Sequence, residues 1–262
     1  MVKLILLSLI LGVFVVLGLS MAPPAGAAAN GARVPILVEL FTSEGCSSCP
    51  PADALLQKFD QQPVPGAQLI VLSEHVDYWN HIGWKDPYSS RFYSDRQNAY
   101  GTRFGLESVY TPQMVIDGTT EFVGSNATLA TKAITQALQT PKTGVRLLST
   151  SIEPGQFVRF TLEVDAPPPA LSSREAQVFA LVAFNHAQSE ISAGENSGRT
   201  LSHVAVARNL VQVGRLKAGE NFVHDLQLKL EPGWDVHNLR LIAFVQDSGN
   251  GKVLGAAEQV LH

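Results

Sequence analysis

The chain has 262 residues, with 19 Lys and Arg against 23 Asp and Glu and a formal net charge of −4. That mild acidity excludes the basic footprint of a nucleic-acid-binding protein, so no nucleic-acid partner is expected. Two cysteines, Cys46 and Cys49, are too few for a fold held together by a disulfide framework.

In chain order, Lys3 precedes an apolar or small stretch from Leu4 to Leu19, then Ala22-Pro23-Pro24 and Ala25-Gly26-Ala27-Ala28-Ala29. One positive charge, a short apolar region and small residues at Ala-x-Ala spacing predict a cleavable signal over residues 1–29. Leu4–Leu19 is short for a membrane span, and no second apolar stretch is long enough for one. The expectation is an exported protein, periplasmic or secreted, with no stable membrane insertion after signal removal. Disulfides persist in that compartment.

Val34–Leu40 and Gln68–Glu74 are nearly continuous apolar runs, as in strands covered on both faces. Pro50 and Pro51 open a helix predicted to reach Phe59. Asp86-Pro87 predicts a second helix to about Tyr100, with Asp86 as its cap. Gln113–Asp117 and Thr120–Val123, split by Asp117-Gly118, predict a hairpin. Ser125 or Asn126 can cap a third helix, with Ala130, Ala133, Ile134, Ala137 and Leu138 on one face. After Thr140-Pro141-Lys142-Thr143-Gly144 only short strand patterns appear: Val145–Ile152, Phe157–Val164, Val178–Phe184, Val204–Val213, Phe222–Leu230, Leu239–Val245 and Val253–Val260. Seven such strands suggest a β-sandwich.

The cysteines lie three positions apart in Thr42-Ser43-Glu44-Gly45-Cys46-Ser47-Ser48-Cys49-Pro50-Pro51, where the first strand turns into the first helix. Unpaired N–H groups and the dipole at a helix start favour a thiolate, the reactive form of cysteine. Two thiols so placed are positioned to oxidise and reduce each other, Cys46 attacking and Cys49 resolving. As a plain structural crosslink, so small a loop would contribute only about 2 kcal/mol. The same cysteines with His75 or His81 form a donor set suited to copper(I) or zinc, a second reading in which the protein binds or delivers metal. A third is a non-catalytic binding module with an inert disulfide.

This strand, Cys-x-x-Cys, helix, strand, helix and hairpin order resembles the thioredoxin-like superfamily. The resemblance implies a cis-proline beside the disulfide, matched by Pro112 in Tyr110-Thr111-Pro112-Gln113, and a buried acid in the preceding strand, matched by Glu39. Glu39 is thereby a candidate proton relay to Cys49. The superfamily's Trp-Cys-Gly-Pro-Cys is replaced by Gly45-Cys46-Ser47-Ser48-Cys49. More narrowly, the run Val38–Asp53, His75-Val76-Asp77-Tyr78-Trp79, Gly83–Pro87 and Gly194–Leu201 are similar to a secreted thioredoxin-like family of unknown function.

The resulting expectation is an α/β thioredoxin-like domain over residues 33–140 followed by an all-β sandwich-like domain over 145–262. The function expected is a thiol–disulfide oxidoreductase that needs no cofactor and acts on exported proteins or small-molecule thiols and disulfides. Cys46, Cys49, Pro112 and Glu39 are its candidate site residues. Two loops are candidates to flank the site: the aromatic Asp77–Asp86, and the polar Asn185–His203, which carries Glu195, Asn196, Arg199 and His203.

Overall fold

In the computed structural model, which describes residues 33–153, 156–168 and 175–262, the apolar runs form strands close to their predicted limits. The expected signal, residues 1–29, lies outside the described residues. Strands β1 (Val34–Thr42) and β2 (Ala67–His75) pair in parallel, and Ile36, Leu37, Val38, Leu40, Ile70, Val71 and Leu72 are fully enclosed. Helix α1 (Pro50–Gln61) begins at the two prolines. Helix α2 (Arg91–Phe104) starts four residues later than predicted. Ser90 caps it, its Oγ accepting from the Phe92 N–H at 3.2 Å, because the Asp86 carboxylate is engaged elsewhere. Strands β3 (Gln113–Ile116) and β4 (Thr120–Val123) form the hairpin, and α3 (Ala127–Ala137) is capped by Asn126. At the hairpin tip Gly118 has φ +64°, and a Cβ there would lie 2.1 Å from the Gly251 carbonyl oxygen, so only glycine fits.

The remaining strands are β5 (Val145–Glu153), β6 (Phe157–Val164), β7 (Glu175–Glu190), β8 (Thr200–Lys217), β9 (Phe222–Lys229), β10 (Leu239–Asp247) and β11 (Val253–Val260). All seven predicted strands are present, with β7 and β8 much longer than their patterns indicated.

The expected architecture, a thioredoxin-like α/β domain followed by a separate sandwich, does not form. The protein is mostly β, and β1–β4 belong to the same eight-stranded mixed sheet as four of the later strands, in the order β11-β10-β7-β8-β2-β1-β3-β4. The junction is a parallel bridge between Ser73 of β2 and Val206 of β8. The smaller sheet, β5-β6-β9, covers the β7–β10 end, with Phe160, Leu162 and Leu228 packed among Val178, Val182, Leu241 and Val245.

The physical reason lies in burial. An apolar strand such as β2 is a liability at a sheet edge, and β8 covers it. Val204 and Ala205 of β8 join the core beneath α1 with Ile36, Val38, Leu40, Ala52 and Leu56. On the other face, Tyr93 of α2 shares a core with Leu37, Leu72, Phe179 and Phe244. Both cores thus draw on both halves of the chain, and residues 33–262 form one compact unit.

Candidate functional site

The site is the turn from β1 into α1. Cys46 and Cys49 form a disulfide with Cα atoms 5.5 Å apart, and neither has solvent-exposed surface. Exposure therefore does not distinguish the expected attacker, Cys46, from the expected resolver, Cys49. Ser47 and Ser48, between them, are exposed, and Ser48 Oγ lies 3.3 Å from Cys46 Sγ. The Cys49 carbonyl accepts from the N–H groups of Ala52 and Asp53, so Cys49 occupies the start of the helix. Gly45 is required by close approach: a Cβ there would lie 3.0 Å from Trp79 Cβ.

Two segments close over the turn. In the aromatic loop between β2 and α2, Trp79 Nε1 donates to Thr111 Oγ1 at 2.8 Å and Trp84 Nε1 donates to Glu44 Oε2 at 2.8 Å. The polar loop between β7 and β8 is shorter than predicted, residues 191–199, because both strands extend into it. Buried Asn196 donates from Nδ2 to the carbonyls of Glu44 (2.9 Å) and Cys46 (3.0 Å), and its Oδ1 accepts from Arg199 Nη1. Glu195 Oε2 accepts the Ser47 N–H at 3.1 Å, and hydrogen bonding from Ser47 holds its pKa below the usual value. Of the four residues singled out in the predicted loop, Glu195 and Asn196 bond the turn, Arg199 bonds only Asn196, and His203 lies in β8 and reaches the acid cluster beneath the turn.

Beneath the turn lies a cluster of titratable groups with little or no solvent exposure: Glu44, Asp53, His75, Asp86 and His203. Asp86 Oδ2 is 2.7 Å from His75 Nδ1 and accepts the Glu44 N–H at 2.9 Å, while its Oδ1 accepts the Tyr88 N–H. Burial opposes the charge on Asp86, but His75 and these N–H groups outweigh it and hold its pKa low. Asp86 is thus an acceptor, and His75 Nδ1 carries the proton.

His203 Nε2 lies 3.4 Å from Glu44 Oε1 and its Nδ1 lies 3.7 Å from Asp53 Oδ1. Its ring centroid is 4.7 Å from that of His75, edge to face. Burial favours the neutral ring, but Asp53 and Glu44 overcome it and push the pKa up to about 10. His203 is therefore an imidazolium between two carboxylates at neutral pH. Glu44 Oε1, His75 Nε2 and both His203 nitrogens are buried without a hydrogen-bond partner.

Among the described residues, no group of three or more His, Cys, Asp and Glu side chains is arranged to hold a metal ion. Of the histidines considered with the cysteines, His75 is committed to Asp86 and His81 is exposed.

Glu39 is on the other face of the sheet. Residues alternate along a strand, and α1 packs on Ile36, Val38 and Leu40, so Glu39 faces α2. Its Oε1 accepts from Arg96 Nε at 2.7 Å and its Oε2 from Tyr100 Oη at 2.6 Å, while Arg96 also pairs with Glu74 at 3.4 Å. The acids on the disulfide side are instead Glu44 and Asp53, which flank the motif in sequence; Asp53 stands four residues after Cys49, one helical turn away on the same face. Pro112 follows a cis bond from Thr111 and is buried, and Gly124 is crowded by Pro112, Ala52 and Leu40 together, so Pro112 lies near the first turn of α1.

The sequence pattern of the family described as "Protein of unknown function (DUF1223)" matches residues 37–246. No curated protein matches the chain. Among solved structures, a protein from Agrobacterium tumefaciens is 24% identical, with a TM-score of 0.65 over 88% of this chain and 95% of that one. HBP35 of Porphyromonas gingivalis is 16% identical, with a TM-score of 0.53 over 88% of this chain and 76% of that one. At these identities the likeness is one of fold alone.

Proposed function

The chain belongs to the DUF1223 family of proteins of unknown function, and we propose that it is an exported thiol–disulfide oxidoreductase working through Cys46 and Cys49. The observation that carries this reading is the disulfide at the start of α1, flanked in sequence by Glu44 and Asp53, the two buried acids that face His203. A crosslink needed only for stability would have no use for such a cluster, whereas dithiol chemistry moves protons at every turnover.

In the proposed reaction an incoming thiolate attacks Cys46 and breaks the Cys46–Cys49 bond. Cys49 leaves as a thiolate stabilised by the N–H groups and dipole of α1. In reverse, Cys49 attacks the mixed disulfide on Cys46 and releases the substrate thiolate. Pro112, which shares the crowding of Gly124 with Ala52 of the first turn of α1, is the candidate to shape the substrate's approach.

Export is supported by the residue pattern of 1–29 and by a disulfide suited to an oxidising compartment. Among the described residues no helix is long and apolar enough to cross a membrane. Asn196 and Glu195 bind the turn itself, so a substrate reaches sulfur only when this loop lifts, which favours a specific exported protein or small thiol over protein disulfides in general.

Equilibration of the purified protein in a graded glutathione series tests the reading, with the thiols counted at each point. A single reversible two-electron transition is expected. A Cys46–Cys49 bond that stays closed throughout the series and resists a strong dithiol reductant in the folded protein overturns it.

A further inference from the structure

Past the single bridge between Ser73 and Val206, β8 runs on without β2, which ends at His75. The chain entering α2 passes beside it there. Tyr88, Ser90, Phe92 and Tyr93 from that chain, with Arg208 and Leu210 from β8, line a cavity of about 330 Å³. A β-bulge shapes the strand at this point: between the pairs Val182–Arg208 and Ala180–Val211, Asn209 and Leu210 stand against Leu181 alone, with Asn209 at φ +45°. Bulges re-aim side chains. Leu210 enters the core with Leu37 and Leu72, while the Arg208 guanidinium stands over the rings of Phe184 and Trp234 at 5.6 and 5.8 Å.

Arg208 is half-buried, and among the described residues it has no acidic partner. The other two arginines withdrawn from solvent are paired, Arg96 with Glu39 and Glu74 and Arg240 with Asp60. Withdrawing a charge from water is costly without a counter-charge. The one hydrogen bond of Arg208 among the described residues runs from Nη1 to the Tyr88 carbonyl at 3.3 Å. Its Nε and Nη2 remain free, and that edge of a guanidinium takes a carboxylate in a two-bond fork. Tyr93 is only 4% exposed, and its hydroxyl has no hydrogen-bond partner among the described residues. Burial and then Glu74 raise its pKa against the nearby charge of Arg208, so the phenol is a neutral donor within electrostatic reach of the guanidinium. Glu74 itself is engaged by Arg96. No carboxylate lines the cavity.

We propose that this cavity is a binding site for a small organic carboxylate, held by the Arg208 guanidinium and the Tyr93 hydroxyl. The inference goes beyond the dithiol reading, since no residue of the Cys46–Cys49 turn lines the cavity. One facing cation balances a monoanion, whereas a phosphate dianion would keep excess charge. Phe92, 45% exposed, and Leu210 offer an apolar wall to the body of the ligand. The volume suits a compact molecule, at the low end of the roughly 300–1,000 Å³ that ligand pockets span.

Ligand-detected NMR titration of the purified full chain with benzoate, benzamide and inorganic phosphate tests the site. Benzoate should bind saturably. Benzamide, similar in shape but uncharged, should bind at least about tenfold more weakly, the scale of a charge-assisted pair. Arg208→Gln should weaken benzoate at least about tenfold and bring it level with benzamide, and Tyr93→Phe should weaken benzoate by a smaller factor. Absence of saturable benzoate binding, or undiminished binding by folded Arg208→Gln, overturns the site. Phosphate binding tighter than benzoate overturns the carboxylate assignment. If Arg208→Gln does not fold, the comparison of benzoate with benzamide on the unaltered chain decides: equal affinities overturn the proposal.

Discussion

Two buried charge clusters lie back to back across the central sheet, and their differences separate support from chemistry. On the α2 face, Glu39 and Glu74 share Arg96, whose guanidinium also bonds Tyr100 and Gln246 and stacks over Tyr100, Phe179 and Phe244 at 5.1–5.5 Å. It is walled by aromatics and joins α2 to β10. On the α1 face, Glu44, Asp53, His75, Asp86 and His203 leave ring nitrogens and a carboxylate oxygen unbonded, border a cavity and underlie the disulfide. Consecutive residues feed opposite sides: Glu74 faces α2 and His75 faces α1. Burial of charge is common to both clusters, so burial alone does not mark a site. Nor does unspent bonding capacity, since both carboxylate oxygens of Glu74 also lack a hydrogen-bond partner; what sets the α1 cluster apart is the disulfide on its side of the sheet and the cavity beside it.

The sharpest break between the two sides is functional. Cys46→Ser should abolish thiol–disulfide exchange, and Cys49→Ser should leave a mixed disulfide trapped on Cys46, both read by mass spectrometry after reaction with a small disulfide. Faster alkylation of Cys49 than of Cys46 in the reduced protein would reverse these roles.

The largest stability loss belongs to the opposite face. Arg96→Leu leaves buried Glu39 and Glu74 without their shared cation and should cost about 3–5 kcal/mol in urea unfolding. The glutathione midpoint of any folded fraction should stay where it was. A midpoint that moves with Arg96 would mean that the faces are coupled and the division is wrong.

The pH dependence of stability distinguishes the clusters next. Burial, and then the charge of Glu39, raise the pKa of Glu74 well above that of an ordinary glutamate. The native state therefore holds a proton that the unfolded chain has lost, and this group makes stability fall as pH rises above about 4.3. Glu74→Gln should flatten that decline. His203, with a native pKa of about 10, contributes stability that is complete below its unfolded value near 6.5 and is lost as pH rises through about 10. Urea midpoints across pH 4–10 for Glu74→Gln and His203→Gln should therefore lose different parts of the profile, the first from the acid side and the second from the alkaline side. A common loss over one window would merge the clusters into a single network.

Asn196→Ala removes two hydrogen bonds from the loop to the turn, worth about 1 kcal/mol each. Alkylation of Cys46 in the reduced protein should accelerate roughly tenfold. An unchanged rate with the fold intact would make the loop a surface excursion rather than a gate. Least of all, Arg91→Ala breaks only the exposed pair with Asp95 and should leave the melting temperature unchanged.

The sequence by itself determined the local features. Its apolar runs specified both parallel strands and all seven later ones, Pro50-Pro51 marked the start of α1, Asp117-Gly118 marked the hairpin, and the cysteine spacing located the disulfide. Those signals are periodicity and backbone conformation, which act over a few residues. Tertiary structure decided which edge each strand joined. Pairing of Ser73 with Val206 merged the halves into one sheet, a choice made by total burial that periodicity does not encode. That same pairing carries His203 to a motif more than 150 positions earlier. Asp86 reads in sequence as a helix cap, and only the folded chain hands its carboxylate to His75 and Glu44. Glu39 and Asp53 are both acids near the motif. Strand alternation turns the first away from α1 and a helical turn brings the second toward Cys49, so the site is settled by which face each acid occupies.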